Sequence, residues 1–210
     1  MIAIHEYAGP SPEQMSLIIN GMRNSWESWS KGDSNLFIEA DVFTLGDNDK
    51  ALAQRLTKLG PDHGKYLRQI PIVVDLTAPN YFWVEVDTYK IGTTRNSTSK
   101  MHILGKEPFN ESMFSWEDMN DSTKGHILVG LNYLRDEWIA SGKRKGPEIA
   151  TWRAMVQAIP DSWNYRCALS LNYQVLRSMY HARKNHRLSE WRYWCDFTAK
   201  LPYGELITYE

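Results

Sequence analysis

The stretch that most restricts how this chain can fold is residues 70–77, IPIVVDLT, followed at once by Ala78-Pro79. The apolar, β-branched run is the clearest strand in the sequence. The proline that follows lacks a backbone N–H and fixes φ, so it favours the opening of a helix. That helix carries Tyr81, Phe82, Trp83 and Val86. The longest strongly apolar run, near Ile70 to Val74, is too short to span a bilayer. A strand must therefore be covered within the protein itself. Nine Trp and eleven Tyr are available for this. Such side chains fill cores, and they also line sites that stack planar ligands.

Residues 2–7 (IAIHEY) read as a first strand. Ser11-Pro12-Glu13-Gln14 then supplies an N-cap, a proline at the first helical position and a capping-box glutamine, so a helix is expected to about Arg23. Residues 24–35 read as loop, and 36–45 hold a short strand. Asp47 is expected to cap a second helix with Leu52, Leu56 and Leu59 on one face and Gly60 as its stop. Thr93 to Ser99 is too polar for a core, and 105–122 reads as a surface excursion. A helix is expected over 122–140, with Leu128, Leu131, Leu134 and Trp138 inward. Ser141 to Pro147 reads as a polar turn, and a further helix ends near Ile159, before Pro160. Two final helices are expected over 168–184 and 188–200. Strands first and helices later point to one α+β domain over 1–210, a mixed or antiparallel sheet with long helices packed on it.

The 24 basic and 25 acidic residues give a net charge of -1, which argues against duplex nucleic acid and membrane surfaces as partners. A pocket for one phosphate needs only a few cations. Cys167 and Cys195 form no CxxC pair and read as reduced, buried thiols of a cytoplasmic protein. His181 and His186 are five apart, which does not place two metal ligands on one helix face. Glu85 and Asp87, two apart on a helix, face away from each other. No nucleophile elbow and no glycine-rich phosphate loop occurs, and Lys143-Arg144-Lys145 reads as a solvated basic turn.

Three collinear stretches resemble the flavin-dependent thymidylate synthases. The first is 52–79, with His63 in a turn, then a strand, then Ala78-Pro79. The second, 85–102, stands where that family has R-H-R-x-x-S-x-N-E-x-S-x-R-Y. Asn96 and Ser99 anchor it and Thr94 falls at the first Ser. Ser97 replaces the Glu, Met101-His102 replace Arg-Tyr, and Tyr89-Lys90-Ile91 stands in place of Arg-His-Arg. The third is 172–191, where Asn172, Leu176 and Arg183 match, Gln174 replaces the Arg of Asn-x-Arg, and Glu190 sits one residue short. Asn172, Leu176, Met179 and Arg183 share one helical face, either a ligand-facing wall or an ordinary amphipathic face.

The resemblance implies a thymidylate synthase-like scaffold, assembled as a homotetramer, on which dUMP is methylated with FAD as the redox cofactor. The loss of Arg-His-Arg removes the forked donors that phosphate recognition favours. The favoured expectation is therefore a nucleotide-binding protein without the family's full catalysis and without a cofactor. Its ligand-binding residues would be Lys90, Thr94, Asn96, Ser99, His102, Asn172 and Arg183, with Tyr81, Trp83, Tyr89 and Tyr180 as stacking faces. The chain resembles divergent versions carried by bacteriophages, and a phage protein that sequesters a nucleotide signal in the bacterial host cytoplasm is one form of this reading. The alternatives are an active FAD-dependent synthase and a structural homo-oligomer without ligand.

Overall fold

The computed structural model describes residues 2–143 and 150–210. The chain opens with β1 (Ala3–Ala8) and α1 (Pro12–Arg23). The capping box at the start of α1 forms as expected: Gln14 N donates to Ser11 Oγ at 3.2 Å and Ser11 N donates to Gln14 Oε1 at 3.0 Å. Met15, Ile19 and Met22, spaced four and three apart, are buried along one side of α1. Short turns lead to a hairpin of β2 (Asn35–Phe37) and β3 (Val42–Thr44), with Leu36 opposite Phe43. Next come α2 (Asp47–Lys58), the one-turn α3 (Tyr66–Gln69) and β4 (Pro71–Pro79), the strand foreseen from sequence, followed by α4 (Asn80–Val86). Gly60 ends the α2 region at φ +105°, a conformation that favours glycine.

The second half holds β5 (Thr94–Ser97), α5 (Lys100–Ile103), α6 (Asp121–Ala140), α7 (Ala150–Ala158), β6 (Asn164–Asn172), α8 (Tyr173–Arg183), α9 (Ser189–Ala199) and α10 (Glu205–Thr208). A four-stranded sheet takes the order β1-β4-β6-β5, so the polar strand β5 lies at its edge. Lys143 is described, but the rest of the expected basic turn, with Arg144 and Lys145, lies outside the described residues.

The chain groups into two compact units. One comprises the start to Ala3, Thr77–Asp87 and Asn96–Cys167; the other comprises Ile4–Leu76, Thr88–Arg95 and Ala168–Glu210. The core of the first corrects the reading of 105–122 as a surface excursion. Phe109, Phe114 and Trp116 are buried there with Leu104, Leu131, Trp138 and Met155. Phe114 and Trp116 stack at 4.2 Å, and Trp116 Nε1 donates to Ser162 Oγ at 2.6 Å. Asn110, Glu111 and Ser112 are exposed while Ser115 is buried, so the segment's mixed composition hides an inward aromatic set.

Two further expectations are corrected. Residues 164–172 form a strand, not the start of a helix at 168: Cys167, Leu169 and Leu171 are buried and Arg166, Ala168 and Ser170 are less so, the period of two of a pleated strand. The N-cap of α2 is Gly46, not Asp47. The capping carboxylate comes from Asp33, which accepts from Asn48 N at 2.9 Å and Asp49 N at 3.1 Å. At the other end Leu59 is the C-cap, 54 % exposed, and does not share the buried face of Ala53 and Leu56.

In the second unit α1 and α2 are joined by a buried ion pair. Arg23 Nε and Nη2 donate to the two carboxylate oxygens of Asp49 at 2.8 and 2.5 Å, and the Asp49 side chain is 2 % exposed. Asp49 Oδ2 also accepts from Ser34 N, Ser34 Oγ and Asp33 N. Burial alone would raise the Asp49 pKa; the Arg23 guanidinium and the Ser34 donors outweigh it and hold the group at about 2, against an ordinary 3.8. Because the folded value is depressed, the pair's stabilisation is complete above pH 4 and is lost as pH falls toward 2. It amounts to about 2–3 kcal/mol. Asp49→Asn should destabilise the protein by roughly 3–5 kcal/mol in urea unfolding, since it leaves Arg23 buried without its charge partner. The acid-dependent drop between pH 4 and 2 should shrink in the same variant. A variant as stable as the parent at pH 7 would contradict this account.

Candidate functional site

A cleft of about 570 Å3 opens in the second unit where three chain segments meet. Arg68 on α3 precedes the central strand, the turn through Thr88, Tyr89 and Lys90 follows α4, and Asn172, Gln174 and Ser178 stand at the start of α8. Local sequence fixes each part. Leu67 and Ile70 are fully buried and leave Arg68 exposed between them. Tyr173 N donates to Ile70 O at 3.1 Å, tying the start of α8 to the end of α3, just before β4. Asn172 is the N-cap of α8, its Oδ1 accepting from Val175 N at 3.1 Å.

The turn closes on Asn172 through Gly92, at φ +79°, where a Cβ would lie 2.7 Å from Asn172 Nδ2. Glycine is needed there for both conformation and space. The cleft is lined by two cations, Arg68 and Lys90, and by amide and hydroxyl groups, without a carboxylate. A helix N-terminus adds partial positive charge to that wall. Such a surface suits an anion.

Of the residues expected from sequence, Lys90 and Asn172 come together in this cleft. Arg183 reaches it through Tyr89: its Nε donates to Tyr89 Oη at 3.3 Å, and its guanidinium lies 5.0 Å over the buried Trp191 ring. Thr94, exposed at the start of β5, is outside the lining. Asn96, Ser99 and His102 belong to the first unit. There Asn96 is exposed on β5, Ser99 precedes α5 without a side-chain cap bond, and His102 is exposed on α5.

Of the two readings of the α8 face, the ordinary amphipathic one holds. Leu176 and Met179 are fully buried, so that face packs into the core, and the cleft takes Gln174 and Ser178 instead. Their spacing of four residues, with Val175 and Leu176 between them, was the available signal. Arg68 carried no comparable mark beyond being polar between two core positions. Trp83 offers no stacking face: it is fully buried, and its Nε1 donates to Ala78 O at 3.0 Å. Cys195, free and buried as expected, has its pKa pushed up by burial to about 11, which leaves the thiol protonated and unreactive near neutrality. Among the described residues there is no cluster that could hold a metal ion, and no helix is long and apolar enough to cross a membrane.

Comparison with known proteins places the fold. Two structures of thymidylate synthase X (ThyX) from Helicobacter pylori, a flavin-dependent thymidylate synthase complexed with FAD and dUMP, superpose with TM-scores of 0.70 and 0.68. Each is 17 % identical; both alignments cover 100 % of this chain, and 96 % and 97 % of the respective neighbour. The chain therefore has the flavin-dependent thymidylate synthase fold, as its sequence led one to expect. No family model and no curated protein matches it.

If Gly92 sets the approach of the turn to α8, Gly92→Ala should cost about 1–3 kcal/mol in thermal or urea unfolding, from positive φ and from the clash with Asn172. Gly125→Ala, on an open face of α6 where a Cβ would meet nothing within 4 Å, should be neutral or stabilising. Equal effects of the two substitutions would refute the close-approach argument.

Proposed function

We propose that this protein binds a phosphorylated nucleotide in the α8 cleft and does not carry out the full thymidylate synthase reaction. One observation carries the reading: two cations, the Asn172-capped start of α8 and a set of amide and hydroxyl donors line one cleft of nucleotide size with no carboxylate among them. The phosphate would sit against Arg68, Lys90 and the helix start. Gln174 and Ser178 would meet the sugar or base, and Arg183 would hold Tyr89 in place. A protein that binds such a ligand without turning it over could sequester a nucleotide signal, the phage-associated form of this reading.

Calorimetry with dUMP, the nucleotide bound by the two neighbours, tests it. Lys90→Ala and Arg68→Ala should each weaken binding about 10- to 100-fold, as the loss of one charge-assisted contact implies. Arg183→Ala should weaken it too, by releasing Tyr89. Arg187→Ala, which removes an exposed charge outside the lining, should leave binding unchanged. If Lys90→Ala and Arg187→Ala bind alike, the cleft is not the nucleotide site.

The second reading is an active FAD-dependent synthase, favoured by the neighbours' bound FAD and dUMP. The residues here do not fit the family's flavin grip. At the Arg-His-Arg position the chain has one cation, Lys90; Tyr89 is held by Arg183, and Ile91 is 92 % exposed. With methylenetetrahydrofolate, reductant and added FAD, the purified protein should form no thymidylate from dUMP above background. Turnover in that assay would establish the synthase reading in place of ours.

A further inference from the structure

A second cleft, of about 410 Å3, lies between α2 and the turn after α1, and shares no residue with the α8 cleft. Its chemistry is set by Trp26, Lys31 and Arg55. The Arg55 guanidinium carbon lies 4.2 Å over the Trp26 ring. Stacking of this kind occupies the face of the guanidinium and leaves its N–H groups, which lie in the plane, free to donate. It also holds the side chain in one orientation before any ligand arrives, which lowers the ordering cost of binding.

Among the described residues, the Arg55 side chain makes no hydrogen bond and no ion pair, and the Lys31 ammonium makes none either. The one carboxylate in the lining is Asp49, and its oxygens are committed to Arg23, Ser34 and Asp33 N. Two cations without a protein acceptor therefore border one recess whose negative charge is already neutralised. Trp26, Ala51 and Leu52 give the recess an apolar wall. Net positive charge beside an apolar wall selects an anion with a hydrophobic body over a bare ion.

We propose that this recess is a second ligand site, which takes a small molecule carrying an oxyanion, a phosphate monoester or a carboxylate, on a planar apolar body. Arg55 and Lys31 bind the oxyanion, and the body lies against Leu52 and the Trp26 edge. The test uses phenyl phosphate, benzoate and inorganic phosphate as probes, by calorimetry on the full chain carrying both Lys90→Ala and Arg68→Ala, which removes both cations of the α8 cleft. The expected result is one saturable event with phenyl phosphate or benzoate. Inorganic phosphate should bind more weakly, and adding Arg55→Gln or Lys31→Gln should weaken the event by about tenfold or more. The tighter of the two aromatic probes identifies the oxyanion.

Both Arg55 and Lys31 are exposed, so their replacement should leave the unfolding midpoint unchanged. Arg55→Gln alone should leave dUMP binding intact, which separates failure of this proposal from failure of the nucleotide reading. No saturable binding of either aromatic probe, binding unaffected by Arg55→Gln, or inorganic phosphate binding as well as phenyl phosphate would each overturn the proposal.

Discussion

The buried pair of Arg23 and Asp49 is the constraint on which much of the second unit depends. Two charges withdrawn from water are tolerable only when every lone pair and proton finds a partner. That requirement brings Ser34 and the backbone of Asp33 to Asp49, and thereby folds the loop after α1 back onto the start of α2. Asp33 in turn caps α2, and Ser34 Oγ accepts from Gly46 N at 3.0 Å. Glycines stand where the chain passes closest: a Cβ at Gly32 would collide with the Arg23 guanidinium, and one at Gly46 with the Asp33 carboxylate. The node also fixes the electrostatics of the Trp26 cleft, because it removes the only negative charge from that lining.

The sequence was most legible where structure is set by local rules. The capping box at Ser11, the strand at 70–77, the stop at Gly60 and the helix over 121–140 all follow from residues within one turn of each other. It was least legible where a distant partner decides. Asp33 caps α2 from fourteen residues before its first helical position, a bond that no spacing rule announces. The strand over 164–172 carried a readable alternation, but the helical pattern that follows it masked the boundary at Asn172. Phe109, Phe114 and Trp116 alternate with polar residues in irregular turns, so neither the period of a helix nor that of a strand marks them as core.

The site shows the same division. Lys90 and Asn172 were found through their place in a family pattern, and they do share a cleft. Arg68 could not be found that way, because its place at the cleft comes from α3 being held against α8 in three dimensions. Tyr89-Lys90-Ile91 and Gln174 stand where the family pattern has its arginines, and Lys90 is the one cation among them. Positive charge at the α8 cleft comes instead from Arg68 and Lys90. The fold is shared with its neighbours at 17 % identity.

Asn172 serves two masters with one side chain: its oxygen holds the amide of Val175, and its nitrogen abuts the backbone of Gly92. The turn that carries Lys90 and the first turn of α8 thus meet at one carboxamide. A displacement of the turn should turn the carboxamide and loosen the Val175 bond made by its other atom. The solvent exchange rate of that single backbone proton is therefore a gauge of what the loop is doing, readable by magnetic resonance without a probe attached anywhere near the cleft.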